Sequence, residues 1–141
     1  MTVTAAPVAT ATRLFDERVL VLDFGSQFAQ LIARRVRELN TYCELLPFDT
    51  PFERVANHDI RGVILSGGPN SVYDPDAPLA PDWVFEKGVP ILGICYGMQF
   101  MINALGGTVK KARKREYGFA ELKVKEGAGL FNTVGGKTKT W

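Results

Sequence analysis

The chain has 141 residues, of which 46% are hydrophobic and 23% are charged, and its formal net charge is +2. These values are typical of one globular domain of ordinary size, which buries about 68% of its unfolded surface and needs no disulfide or metal to fold. A net charge this close to zero argues against nucleic acid as a partner, and the apolar runs are far shorter than the roughly 20 residues of a membrane span.

The amino-terminal segment differs in composition from the rest of the chain. Residues 1–12 are rich in Thr, Ala and Val, carry no charged side chain and show no hydrophobic periodicity. They also lack the basic start and the apolar middle of a signal peptide. We therefore predict a disordered tail over residues 1–17 and a single domain over residues 18–141.

The domain begins with an alternation of predicted strands and helices. Short apolar runs predict buried strands at residues 19–22, 43–48, 62–65 and 89–94. Amphipathic or apolar stretches predict helices at residues 27–39, 82–87 and 96–105. Ser26 is a candidate N-cap for the first of these helices. Antiparallel strands are predicted further on, at residues 108–112, 119–125 and 138–141. Apolar strands that alternate with helices favour an α/β fold, with a parallel sheet covered on both faces.

Residues 89–99 carry the strongest chemical signal, because an apolar strand runs directly into Cys95 and a helix begins at once. Gly93 and Gly97 flank this cysteine, and their missing side chains allow a sharp turn and a close approach of strand and helix. The arrangement is typical of a nucleophile elbow. The amino end of the helix favours a thiolate, and the amide of Tyr96 is placed to donate to an oxyanion. The alternative is a buried structural cysteine.

A second glycine-rich turn, at residues 65–71, also follows a predicted strand. The carboxyl ends of parallel strands meet at one edge of a sheet, so the amide of Gly68 could face Cys95 as half of an oxyanion hole. A phosphate-binding loop is a weaker interpretation, because neither GxGxxG nor a Walker pattern is present. A plain structural turn is the remaining alternative.

Three motifs together resemble the class I glutamine amidotransferases: residues 23–27 (DFGSQ), 66–74 (SGGPNSVYD) and 93–99 (GICYGMQ). Their details, together with residues 115–120 (REYGFA), are similar to the GMP synthase branch of that family, and the resemblance runs over residues 19–141. It implies a flavodoxin-like, doubly wound and mostly parallel sheet with helices on both faces.

The resemblance implies that glutamine is hydrolysed through a cysteinyl thioester. The released ammonia would serve an ATP-dependent synthetase domain that aminates XMP to GMP. Cys95 then matches the nucleophile, and the backbone amides of Gly68 and Tyr96 match the oxyanion hole. Gly68 and Gln99 match residues at the glutamine site. No cofactor is expected in this domain, whereas ATP and magnesium belong to the synthetase domain.

The sequence departs from the family pattern in its catalytic triad. The family has a His and a Glu well after the nucleophile, but no histidine follows Cys95 in this sequence. The single histidine, His58, lies in a polar link before a predicted strand and is expected to be a surface loop residue, away from the site. We therefore expect a fragment without the carboxyl-terminal part of the domain, and we expect this chain alone to be inactive.

The remaining expectations concern metals, location and partners. Two cysteines and one histidine are too few for a structural zinc site, so no metal is expected, and Cys43 is predicted to pack in the core. Without a secretory signal these cysteines favour a reducing compartment, and we expect the cytoplasm. The resemblance implies three partners. They are glutamine, the synthetase domain, and a second copy of the protein in a homodimer formed through the carboxyl-terminal region. Two alternatives are another cysteine hydrolase with the same elbow and a non-catalytic docking or regulatory module.

Overall fold

A computed structural model describes residues 17–111, 118–125, 129–134 and 136–140, and the chain divides into two compact units between Val109 and Lys110. The elements of the first unit, within the described residues, are β1 (Glu17–Asp23), α1 (Ala29–Glu38), β2 (Cys43–Pro47), α2 (Phe52–Val55), β3 (Asp59–Leu65), α3 (Trp83–Glu86), β4 (Ile91–Gly93) and α4 (Tyr96–Ala104). None of the described helices is long and apolar enough to cross a bilayer.

The four strands of this unit form one parallel sheet in the order β2-β1-β3-β4. In the centre of the sheet, Val21 of β1 pairs with Leu45 of β2 on one side and with Ile64 of β3 on the other. This is the strand order of the flavodoxin-like doubly wound fold over its first four strands. The predicted fold class is therefore confirmed, and the carboxyl ends of all four strands lie at the same edge of the sheet.

Side chains of β1 alternate between two cores, because successive residues of a strand point to opposite faces. Leu20 and Leu22 belong to the larger core, which α2, α3 and α4 cover. Val21 belongs to the smaller core, together with Ala33 of α1 and Cys43 of β2. Helices thus cover both faces of the sheet, as predicted. Each fully buried aliphatic side chain contributes about 1.5–3 kcal/mol to the free energy of folding.

The ends of several predicted elements differ from the structure. The last strand of the sheet, predicted over residues 89–94, is confined to Ile91–Gly93. The first helix, predicted from residue 27, begins at Ala29, and Phe28 occupies the N-cap position. The predicted cap at Ser26 is therefore wrong. Its hydroxyl instead accepts a hydrogen bond from the N–H of Phe28 at 3.1 Å, within the turn that precedes the helix.

The second unit contains a small antiparallel hairpin of β5 (Ala120–Lys123) and β6 (Lys137–Thr140). Two of the three antiparallel strands predicted here are thus present: the one predicted over residues 119–125 is shorter, and the one predicted over residues 138–141 begins one residue earlier. The strand predicted over residues 108–112 is wrong over residues 108–111, which pair with no neighbouring strand in the described part of the chain. Residues 112 and 141, residues 115–117 of the REYGFA motif and residues 1–16 of the predicted tail lie outside the described residues.

Candidate active site

Loops that follow β1, β3 and β4 meet at the carboxyl edge of the sheet and are joined there by backbone hydrogen bonds. The N–H of Ser66 donates to the carbonyl of Leu22 at 3.0 Å, which links the loop after β3 to β1. The N–H of Ile94 donates to Leu65, and that of Gly97 donates to Ser66, both at 3.0 Å. Ile94 and Gly97, which lie on either side of the turn at Cys95, are therefore held against the end of β3.

Cys95 lies between β4 and α4 in a strained backbone conformation, with φ 50° and ψ −112°. A positive φ at a residue other than glycine costs about 1–3 kcal/mol and persists only where the surroundings hold it. Here the N–H of Gly97 donates to Ile94 at 3.0 Å, and the N–H of Gln99 donates to Cys95 at 3.1 Å. The resulting sharp turn leaves the cysteine exposed at the sheet edge, so the alternative of a buried structural cysteine is wrong.

The glycines on either side of Cys95 permit close contact between backbones. A Cβ atom on Gly97 would overlap the carbonyl oxygen of Leu65, and one on Gly93 would lie 2.6 Å from the Cα atom of Met98. Real Cβ atoms do not approach other atoms this closely. The predicted reason for these glycines, close packing of the strand and helix around a turn, is therefore confirmed.

The loop after β3 passes directly beside the cysteine. A Cβ atom on Gly67 would lie 3.5 Å from the Cβ of Cys95, and one on Gly68 would lie 2.5 Å from the carbonyl oxygen of Phe24. The two glycines thus bring main chain, rather than side chain, up to the exposed thiol. Among the described residues, no protein acceptor receives a hydrogen bond from the N–H of Gly68 or Tyr96.

Asp23 and Ser66 shape the edge, although sequence reasoning did not single them out. Ser66 is fully buried, and its hydroxyl accepts from the N–H of Phe24 at 3.0 Å and donates to the carbonyl of Gly67 at 2.8 Å. The Asp23 carboxylate accepts from the amides two and three residues later, at 2.9 and 3.0 Å. The Asp-Phe-Gly-Ser order is the available sequence signal, because an Asp before a glycine commonly closes such a turn.

The side chain of Tyr96 is buried and joins the elbow to the loop of residues 69–80, which contains three prolines. Its hydroxyl donates to the carbonyl oxygen of Pro78 at 2.6 Å, and its ring centroid lies 5.3 Å from that of Phe24. Burial, reinforced by the negative charge of Asp74, raises the pKa of Tyr96. The phenol therefore remains a protonated donor through the neutral pH range.

Gln99, the other predicted site residue, is half-buried one helical turn beyond Cys95. The side-chain role predicted for Gln99 at the glutamine site stays a prediction. The described residues contain no cluster of three His, Cys, Asp or Glu side chains placed to hold a metal ion.

His58 lies at the opposite edge of the sheet, directly before β3. It is half-buried rather than a surface loop residue: its Nε2 is 3.3 Å from Nη1 of Arg18, and its Nδ1 is 3.7 Å from Oε2 of Glu44. At about 3.3 Å per residue, the length of β3 puts roughly 20 Å between this cluster and the edge that carries Cys95. The structure therefore does not bring the only histidine of the sequence to the cysteine.

Comparison with known proteins agrees with this arrangement. The family described as Glutamine amidotransferase class-I matches residues 20–141. The chain is 51% identical to a glutamine-hydrolyzing GMP synthase of Alteromonas mediterranea over 123 residues, which are 87% of this chain and 23% of that protein. It is 59% identical to the protein of the same name from Thermomicrobium roseum over 104 residues, which are 74% of this chain and 20% of that protein. The chain thus spans less than a quarter of the length of these curated relatives.

A solved structure extends the similarity from sequence to fold. The crystal structure described as that of a GMP synthase subunit from Thermoplasma acidophilum superimposes with a TM-score of 0.76 at 28% sequence identity. The match covers 88% of this chain and 62% of that one. Since the family pattern spans nearly the whole described domain and the fold agrees, the chain belongs to the class I glutamine amidotransferase family.

Proposed function

We propose that this chain is the glutaminase part of a glutamine-hydrolysing GMP synthase, with Cys95 as its nucleophile. The observation that carries the proposal is the exposed thiol at a strained strand-to-helix turn, beside the glycine-only wall of Gly67 and Gly68. The thiolate attacks the side-chain amide carbon of glutamine, and the tetrahedral intermediate expels ammonia to leave a γ-glutamyl thioester. Water then cleaves this thioester, which releases glutamate and restores the thiol.

The negative charge of both tetrahedral intermediates develops on the former amide oxygen of glutamine. We assign its stabilisation to the backbone N–H groups of Gly68 and Tyr96, which have no acceptor among the described residues. One donor of this kind contributes about 10²–10³ in turnover, because it is already oriented before charge develops. The backbone of Gly68 and the side chain of Gln99 are also proposed to contact the bound glutamine.

The reaction also needs a base for the thiol and an acid for the departing ammonia. His58 does not serve, because it lies beyond the opposite end of β3 with Arg18 and Glu44. We therefore assign the base to none of the residues that the structure describes. Loss of a base that works with its nucleophile lowers turnover by about 10⁴–10⁶, so this chain alone is expected to hydrolyse glutamine only negligibly.

The proposed fate of the ammonia is supported by the relatives, which are named as glutamine-hydrolyzing GMP synthases. We propose that it is consumed by an ATP- and magnesium-dependent synthetase domain that aminates XMP to GMP, normally on the same chain. A homodimer formed through that further part of the protein also stays a prediction. A catalytic thiol has to remain reduced, which fits the cytoplasm as the location of the reaction.

A diazo-ketone analogue of glutamine tests the proposal in the longest natural product that contains this chain. We expect a covalent adduct on Cys95, detected by mass spectrometry of peptides and suppressed by excess glutamine. Cys43→Ala should label like the parent and Cys95→Ala should not. Labelling that glutamine does not suppress would favour another cysteine hydrolase, and no labelling of Cys95 would favour a non-catalytic module. Either result would overturn the proposal.

A further inference from the structure

We infer that the side chain of Tyr96 is a positioning residue for glutamine hydrolysis, because its hydroxyl anchors the loop that carries the Gly68 amide. This inference rests on the proposed function. It assigns to the phenol a role separate from that of the backbone N–H of the same residue. The N–H is assigned to the oxyanion, whereas the phenol is assigned to the orientation of the second donor, through its 2.6 Å hydrogen bond to the carbonyl of Pro78.

The hydrogen bond to Pro78 is the central observation. Residues 71–77 bond mainly among themselves: the N–H of Asp74 donates to the carbonyl of Ser71 and that of Ala77 to the carbonyl of Asp74, at 3.0 and 3.1 Å. Within the part of the chain that the structure describes, the Tyr96 hydroxyl forms the only hydrogen bond from residues 69–80 to another segment. Loss of this one oxygen atom would therefore remove the only hydrogen bond that joins these described residues to another segment.

Packing under the loop is incomplete, which increases the importance of this bond. A pocket of about 350 Å³ is lined by Val72, Ala77 and Leu79 of the loop and by Phe100 and Asn103 of α4. Leu79 is also 65% exposed, so it contributes little to the core. Ala80 is buried in the larger core and Val72 packs against it, so the hydrogen bond at Pro78 lies between two apolar contacts of the loop.

The loop connects directly to the candidate oxyanion hole. Gly67 and Gly68 directly precede residues 69–80. Gly68 fits so closely against the carbonyl of Phe24 that a side chain at this position would collide with it. The ring of Phe24 in turn packs on the ring of Tyr96, with centroids 5.3 Å apart. Tyr96 thus contacts the start of the loop through Phe24 and its far end through Pro78.

Tyr96→Phe tests the inference, since it removes the hydroxyl and keeps the ring. In the longest natural product that contains this chain, we expect kcat for glutamine hydrolysis to fall by about tenfold to a hundredfold, because the oxyanion donors lose their alignment. KM for glutamine should change less than kcat, since the contact proposed for Gln99 remains even when Gly68 shifts. Alkylation of Cys95 by iodoacetamide should keep its rate, because that substitution forms no oxyanion. Tyr96→p-aminophenylalanine, which returns an N–H donor, should recover most of kcat.

The matched control is Tyr73→Phe, because Tyr73 lies in the same loop, is 52% exposed and has a hydroxyl without a hydrogen bond to any described residue. It should behave like the parent protein. An unchanged kcat in Tyr96→Phe would overturn the inference, as would an alkylation rate that falls in parallel with kcat, because the elbow itself would then be disturbed.

Hydrogen exchange separates failure of the inference from failure of the proposed function. Amides of residues 69–80 should exchange faster in Tyr96→Phe than in the parent, while amides of β1 and β3 keep their rates. Unchanged exchange in the loop would overturn the inference even if glutamine is hydrolysed. A parent protein that neither hydrolyses glutamine nor is labelled by its analogue would instead overturn the proposed function, and the catalytic part of the inference with it.

Discussion

The two cysteines of this chain have opposite surroundings. Cys43 is 1% exposed in the smaller core, and its thiol donates to the carbonyl of Ala33 at 3.2 Å. Burial raises the pKa of this thiol, although the nearby Arg37 partly offsets the effect. Cys95 is exposed at the tip of the elbow. The same residue type therefore acts as a small apolar side chain at one position and is available for reaction at the other.

Alkylation of this chain by iodoacetamide near pH 7.5 should modify Cys95 at least about tenfold faster than Cys43. The reason is that Cys43 reacts only after local opening, and each 1.4 kcal/mol of opening free energy lowers the rate about tenfold. Peptide mass spectrometry over time gives both rates, and Cys95→Ala serves as the control that reports Cys43 alone. Since the pKa of Cys43 lies above its ordinary 9.0, its rate should rise mainly above that pH. Equal rates at neutral pH would contradict the structure.

At the scale of elements, the elbow depends on how closely α4 approaches the ends of β3 and β4. Gly97 sits against the carbonyl of Leu65, and Gly93 sits against the backbone of Met98. A longer side chain at either position would push the helix away from the sheet. The amino end of the helix, with the N–H of Tyr96, would then move relative to the loop at Gly68.

Gly97→Ala should therefore lower the free energy of unfolding by about 1–3 kcal/mol, which is the usual cost of overpacking. Gly62→Ala is a suitable control because its Cβ would lie 3.4 Å from the nearest atom, the carbonyl oxygen of Pro90, at a nearly ordinary contact distance. Urea unfolding followed by circular dichroism measures both variants. An equal loss of unfolding free energy in both variants would show that close contact between helix and strand is not the reason for a glycine at position 97.

At the scale of the whole molecule, the sheet separates two groups of polar side chains. Cys95 and the glycine-rich loop lie at its carboxyl edge, whereas His58, Arg18 and Glu44 lie at its amino edge. The length of a strand, roughly 20 Å for β3, far exceeds the reach of a proton transfer through one water. The amino-edge cluster is thus a structural contact between β1, β2 and the start of β3.

His58→Gln should consequently leave glutamine hydrolysis unchanged in the longest natural product that contains this chain. In a parallel assay of glutamate release, the 141-residue chain should show at most about 10⁻⁴ of the turnover of that product, because its single histidine lies at the opposite edge of the sheet from Cys95. A loss of activity in His58→Gln that is larger than its loss of folded protein would contradict this assignment, as would full activity of the short chain.

Sequence reasoning succeeded where a feature depends on neighbouring residues. The apolar runs and the glycines around Cys95 predicted buried parallel strands and a sharp turn, and both are present. Sequence reasoning failed where the structure of a segment depends on its contacts with other segments. Residues 108–111 have the composition of a strand but pair with no strand in the described part of the chain. Ser26 has a capping side chain, yet the helix begins later.

The amino-acid order by itself determined the α/β alternation, the elbow around Cys95 and the family, since these depend on local spacing and on motifs of a few residues. Only the tertiary structure decided that Ser66 joins Phe24 across 42 positions, that Tyr96 reaches Pro78 across 18, and that His58 is remote from the thiol. Such contacts arise when packing of the sheet and helices brings distant segments together. Their geometry therefore has no counterpart in the linear spacing of residues.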